Sequence, residues 1–312
     1  MAVVGFGLLS HVPTIMLPES TRRELNEGKE ISLVPGLRRL RAEVLGELRP
    51  ETFVIFDTHW ASTVEHLLAA QPRRAGRYTS DELPRGMAGL PYDYPGDPEL
   101  AKRAAAAARG AGHPAHASDD PHLPVHYPTL NLLHYLWRGE RVVSVSCAQT
   151  GETPDFLAMG RAIGEAVRET GRRVVLLASG GMSHRFWPLS QIPRREASDP
   201  RHVRTPEARA ADEDRLRWFE KGDHRRVIAT MDDYARFAPE GRFGHYLMAV
   251  AAVGGADCTA PGRRFSDYEN SIGTGQVHIW FDRPANGWTD DARDRPGAQS
   301  GGVPADLRRA TD

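Results

Sequence analysis

Thirteen histidines stand among the 312 residues, and histidine is both the commonest metal-binding side chain and the one whose proton moves near neutral pH. Three of them follow short apolar runs by a few residues: Leu8-Leu9-Ser10-His11, Phe56-Asp57-Thr58-His59, and Ala178 to His184. In open α/β sheets ligands bind beyond the carboxyl ends of the strands, so three such side chains meet at one point if the runs are parallel neighbours. Metal ligation and proton transfer are the chemistries that such a cluster supports. His11 and His59 lie far apart in sequence, unlike the two histidines of a helical metal motif. Taken alone, each also reads as a hydrogen-bonded structural residue.

The elements that would position them are legible in the apolar pattern. Val3–Leu9, Phe53–Phe56, Val142–Val145 and Val174–Leu177 have the length and β-branched content of buried strands. Between them, Leu37, Leu40, Val44 and Leu48 share one helical face, and Phe156, Met159, Ile163 and Val167 another. The alternation predicts an α/β fold: a single domain over residues 1–283, with a central, mostly parallel sheet flanked by helices and the active site at the C-terminal strand ends. Gln71–Pro128, rich in Pro, Gly, Tyr and His around an Ala-rich helix near Pro98–Arg109, reads as an ordered, site-forming excursion. Helices are expected at Ala208–Lys221, at His224–Tyr234 and from about His245, and a last strand at Gln276–Phe281. From Pro284 to Asp312 the chain has no apolar period, so a disordered tail is expected there.

Charge and cysteine content narrow the partners. With 40 Lys+Arg against 41 Asp+Glu the formal charge is -1, so no basic surplus points to nucleic acid and a small-molecule partner is expected. Cys147 and Cys258 form no C-x-x-C pair, so neither a disulfide framework nor a cysteine zinc site is implied. Nothing approaches the ~20 apolar residues that cross a membrane. The run Ala2–Leu9 lacks the basic lead and cleavage site of a signal peptide. A cytoplasmic location is the expectation.

Five stretches, in order along the chain, carry a resemblance: Ser10-His11-Val12-Pro13-Thr14, Phe56-Asp57-Thr58-His59-Trp60, Ala178-Ser179-Gly180-Gly181-Met182-Ser183-His184-Arg185-Phe186, Pro239-Glu240-Gly241 and Gly273-Thr274-Gly275-Gln276-Val277. Together they resemble the class III extradiol ring-cleaving dioxygenases, especially the branch acting on 3,4-dihydroxyphenylacetate. The resemblance implies Fe(II) held by His11, His59 and Glu240, and His184 beside the metal as acid/base. It implies a small aromatic diol and O2 as substrates, with 3,4-dihydroxyphenylacetate the first expectation, a ring-opened semialdehyde as product, and a homo-oligomer. Two imidazoles and a carboxylate on one face of Fe(II) would leave open positions for diol and O2.

The resemblance also places His126 among the catalytic residues, although some members of that branch carry Glu there; the plainer reading is a loop histidine stacked on Tyr127. His245 and Ser183 are expected as substrate contacts, and Gly180 and Gly181 as the makers of a tight turn that presents His184. Asp57 would orient a ligand histidine or form a turn. His113, His116 and His122 form a local cluster open to a second metal, and Cys147 reads as a core residue. A zinc hydrolase uses the same donor types. A 2-aminophenol-cleaving enzyme and a non-catalytic scaffold subunit are also compatible with these stretches.

Overall fold

Strands covered on both faces by helices must be apolar throughout, and the four apolar runs become the middle of one sheet. The computed structural model describes residues 3–289. Its central sheet has eight strands: β1 (Val3–Leu9), β2 (Thr52–Ser62), β3 (His66–Ala69), β4 (Ala115–Ser118), β5 (Arg141–Ala148), β6 (Val174–Ser179), β7 (Gly262–Arg264) and β8 (His278–Asp282). Their spatial order is β4-β3-β5-β2-β6-β1-β8-β7. The central β5, β2, β6 and β1 are mutually parallel neighbours, and β6 is buried at every position. Toward the edges, β3 runs antiparallel to β5, β8 to β1, and β7 to β8. Gly5 leaves room on β1 for Trp280 of β8, since a Cβ there would lie 2.2 Å from the indole.

Successive strand residues point to opposite faces, and two cores result. Val54 and Phe56 pack with the helices Pro98–Gly110, Thr153–Thr170 and Gly244–Ala251. Phe53 and Ile55 pack with Leu33–Leu40, which continues to Leu48, and with Tyr127–Leu136. Gly244–Ala251 is buried at every residue. The Thr153–Thr170 helix approaches it so closely that Cβ atoms on Gly160 and Gly164 would lie 2.3 Å from the Met248 carbonyl oxygen and 2.4 Å from that of Ala252.

Two boundaries differ from expectation. The last strand begins at His278, because Thr274–Gln276 pairs instead with Glu269–Ser271 in a separate ribbon. The folded body also continues past residue 283. Trp288 is 3 % exposed, its indole N–H donates to the Val3 carbonyl at 3.1 Å, and Thr289 bridges to Cys258. One large aromatic side chain is enough to dock a stretch with no apolar period. The remainder of the expected tail, 290–312, lies outside the described residues.

Candidate active site

Because β1, β6 and β2 are adjacent and parallel, their C-terminal ends open side by side. His11 stands two residues beyond β1. His59 lies within β2, where the pairing with β5 shifts register between Asp57 and Ala61. Such a bulge re-aims side chains, and bulges concentrate beside active sites. Asp57 holds this one open: its Oδ1 accepts from the backbone N–H groups of His59 (3.1 Å) and Trp60 (3.0 Å). Its Oδ2 accepts from Thr129 N–H and hydroxyl at the start of the Tyr127–Leu136 helix. Asp57 thus orders the backbone around His59 and makes no hydrogen bond to its ring.

Glu240 arrives from the far side. Its N–H donates to the Met182 carbonyl at 3.0 Å, and Pro239 bridges to Ser183, which ties it to the turn after β6. Positive φ angles at Ala238 (49°), Gly241 (52°), Arg242 (56°) and Phe243 (61°) surround it. For the non-glycine residues this costs roughly 1–3 kcal/mol each, a strain typical of functional sites. Glu240 Oε1 lies 3.2 Å from His11 Nε2 and 3.5 Å from His59 Nε2. The same oxygen accepts from the Thr58 hydroxyl, and Oε2 accepts from Gly181 N–H. Burial alone would raise the Glu240 pKa, but His184 and His11 outweigh it and hold the carboxyl well below its usual range. Burial likewise works against a charge on His59, and Glu240 overcomes it, leaving that pKa raised. His11 Nδ1 is fixed by the Ser179 hydroxyl at 3.0 Å, leaving Nε2 to face the carboxylate.

One donor atom from each of His11, His59 and Glu240 lies within 4.8 Å of the others, and among the described residues no other three His, Cys, Asp or Glu side chains gather so. Two imidazole nitrogens and one carboxylate oxygen, with His11 and Glu240 oriented by hydrogen-bonding neighbours, are a donor set suited to a divalent transition metal.

His184 stands beside this set. Its Nδ1 is 3.5 Å from Glu240 Oε2, has no hydrogen-bond partner, and its ring meets Phe186 edge-on. Burial lowers its pKa against the pull of Glu240, which favours the neutral ring, the form that accepts a proton. Ser183, expected as a substrate contact, is committed elsewhere. Its hydroxyl donates to Asp212 at 2.7 Å, and Asp212 also accepts from Tyr234 (2.7 Å) and Tyr268 (2.6 Å). Gly180 and Gly181 are not among the residues with positive φ; they are needed for space. A Cβ on Gly180 would lie 2.7 Å from His245 Nε2, and one on Gly181 2.5 Å from Gln276 Nε2. His245, also expected as a substrate contact, is completely buried beneath that turn, and burial brings its pKa down to about 4.

His126 stacks on Trp60, not Tyr127, at 6.3 Å, with a buried, unpartnered Nε2. Tyr127 instead places its hydroxyl 2.9 Å from His59 Nε2 and donates to Glu82 at 3.2 Å. Both belong to the Gln71–Pro128 excursion. Neither is legible in the sequence as a site residue, since Glu82 carries no local signal at all. His113, His116 and His122 do not converge: His113 faces Asp155 at 4.0 Å, and the other two are exposed. Cys147 is buried, and burial pushes its thiol well above the usual range.

The family described as the catalytic LigB subunit of aromatic ring-opening dioxygenase matches residues 5–281. The chain belongs to this family. It is therefore a class III extradiol dioxygenase, as the five stretches imply, and the matched span covers every residue of the cluster. Among curated relatives, the 3,4-dihydroxyphenylacetate 2,3-dioxygenase of Escherichia coli is 28 % identical over 251 residues, 79 % of this chain and 88 % of the relative. The 2-aminophenol 1,6-dioxygenase beta subunit of a Pseudomonas species is 27 % identical over 210 residues, 63 % of this chain and 67 % of the relative. A solved structure of an uncharacterized Escherichia coli K12 protein shares the fold, with a TM-score of 0.59 and 15 % identity, over 89 % of this chain and 99 % of that one. No helix among the described residues is long and apolar enough to cross a membrane.

Proposed function

We propose that this family member opens catechol-type rings with O2 in an extradiol position, using Fe(II) held by His11, His59 and Glu240. The observation that carries the reading is the convergence of those three donors, with the His184 imidazole beside them, its Nδ1 3.5 Å from the carboxylate and without a hydrogen bond. Bound ferrous iron would supply adjacent open positions for diol and O2 and the electron density that makes O2 reactive. The His184 imidazole takes the proton of a substrate hydroxyl, and the imidazolium holds it for return to the product. Glu240 keeps that imidazolium favourable, because a carboxylate at short range in a buried site stabilises a nearby cation. Tyr127, whose phenol stays protonated through burial and the neighbouring carboxylates, donates a hydrogen bond to Glu82 beside His59. The enzyme would work in the cytoplasm as a homo-oligomer.

Anaerobic loading with Fe(II), followed by O2 uptake and near-ultraviolet product absorbance on catechols and 2-aminophenol, tests the reading. One O2 consumed per ring opened is expected, with no uptake by zinc-loaded protein. Alanine at His11, His59 or Glu240 should abolish both stoichiometric iron and ring opening. A variant that keeps both would remove that residue from the ligand set.

A further inference from the structure

On its His59 side the site is acidic. The Glu82 carboxylate lies 3.9 Å from His59 Nδ1 and accepts from the Tyr127 hydroxyl, which itself stands 2.9 Å from His59 Nε2. Glu82 is 48 % exposed, so it faces solvent at one end and a candidate metal ligand at the other. Asp81, next to it, acts with the same sign on Tyr78 and His126. The cation that acts on His126 here, Arg74, is 8 % exposed, and its guanidinium is turned to the carbonyl oxygens of Leu123 and Pro124. The charges that act most strongly on His59 and His184 are Glu240, Asp57, Glu82 and the neighbouring histidines, with no Lys or Arg among them. Beside His184 the half-exposed Phe186 ring adds an apolar surface.

Resting on the ring-opening reading, we propose that Glu82, held over His59 by Tyr127, selects catechols whose ring substituent is uncharged or cationic and disfavours those bearing a carboxylate. On this proposal the ring of a diol bound at His11, His59 and Glu240 extends on the His59 side, where Glu82 stands 3.9 Å from Nδ1. A carboxylate on that ring then meets a like charge at short range, its repulsion reduced but not removed by the solvent at Glu82. An ammonium group meets a complementary one. This turns around the expectation of 3,4-dihydroxyphenylacetate and sets the chain apart from the relative named for that substrate.

Binding without turnover tests it. The Fe(II)-loaded protein is titrated calorimetrically, in the absence of O2, with 4-ethylcatechol, dopamine and 3,4-dihydroxyphenylacetate, which differ chiefly in side-chain charge. The anion should bind about tenfold or more weakly than the neutral catechol, the size of effect expected for one like-charge contact, and dopamine at least as tightly. Glu82→Gln should reduce the anion-to-neutral ratio of Kd by about tenfold. Raising the ionic strength should narrow the gap in the wild-type protein, which keeps the proposal testable if the variant folds poorly. Equal or tighter binding of the anion by wild type, or a ratio unmoved by Glu82→Gln, overturns this inference and leaves ring opening standing. If no catechol binds, both fall.

Discussion

His184 differs from the three convergent donors in its place: it stands beside them, with Nδ1 3.5 Å from Glu240 Oε2 and no hydrogen bond tying its ring. Replacing it with Asn should leave iron and catechol binding intact while turnover falls ~10²–10⁴-fold, the usual contribution of a positioned proton-transfer group. An electron-poor ring gives up its proton more readily, so 4-nitrocatechol should lose less than an alkyl catechol. Steady-state rates on both substrates, with metal analysis, check this; equal losses would exclude His184 as the base. Its pKa is lowered from 6.5 by burial, and a base works when deprotonated. Activity should therefore fall only as pH drops below 6.5, and the acid limb of kcat at saturating iron should lie below that value and vanish in the variant.

Among the elements, the turn from Gly180 to His184 is held by a buried carboxylate that touches none of the donor set. Asp212 is 0 % exposed and accepts from Ser183, Tyr234 and Tyr268, so it fixes the residue next to His184. Asp212→Asn keeps the shape but turns one acceptor into a donor facing donors, which costs about 1–3 kcal/mol. A drop of several degrees in Tm is expected, with a fall in kcat larger than any change in substrate affinity. The sign of the pH effect is defined as well. Burial raises Asp212 from 3.8 to about 6, so its contribution to stability is intact below 3.8 and declines as pH rises through 6. The Tm gap between wild type and Asp212→Asn should narrow over that window. A gap that widens would show that the ionised form is the one the fold favours.

Across the described molecule, the two helical layers close over the sheet, and the segment 284–289 packs against one of them. Phe6, Phe281 and Trp288 pack together, with Phe6–Phe281 stacked at 4.3 Å and Phe6–Trp288 at 5.7 Å, and Trp288 hydrogen-bonds the first described residue. Trp288→Ala should cost ~3–5 kcal/mol, the range for deleting a buried aromatic side chain. Its effect should be on thermal or denaturant stability, with the metal content of the folded fraction unchanged. An unchanged midpoint would mean that 284–289 only rests on the body.

The sequence by itself determined the four central strands and their flanking helices, and it singled out His11, His59, His184 and Glu240 as candidates. Apolar runs and helical periods are local signals, and a motif is a string that can be matched without coordinates. Only the tertiary structure decided what lay between distant segments. It made β1, β6 and β2 parallel neighbours, so that the histidines converge, and it folded Glu82 and Tyr127 of the excursion back over His59. It also withdrew Ser183 into the Asp212 network and enclosed His245 beneath the turn. The pairing of β2 with β5 explains the difference most directly. The bulge that turns His59 toward Glu240 exists because Asp57 captures N–H groups from its own strand and Thr129 from another element. A carboxylate's choice of partners depends on distances across the fold, and no spacing along the chain records them.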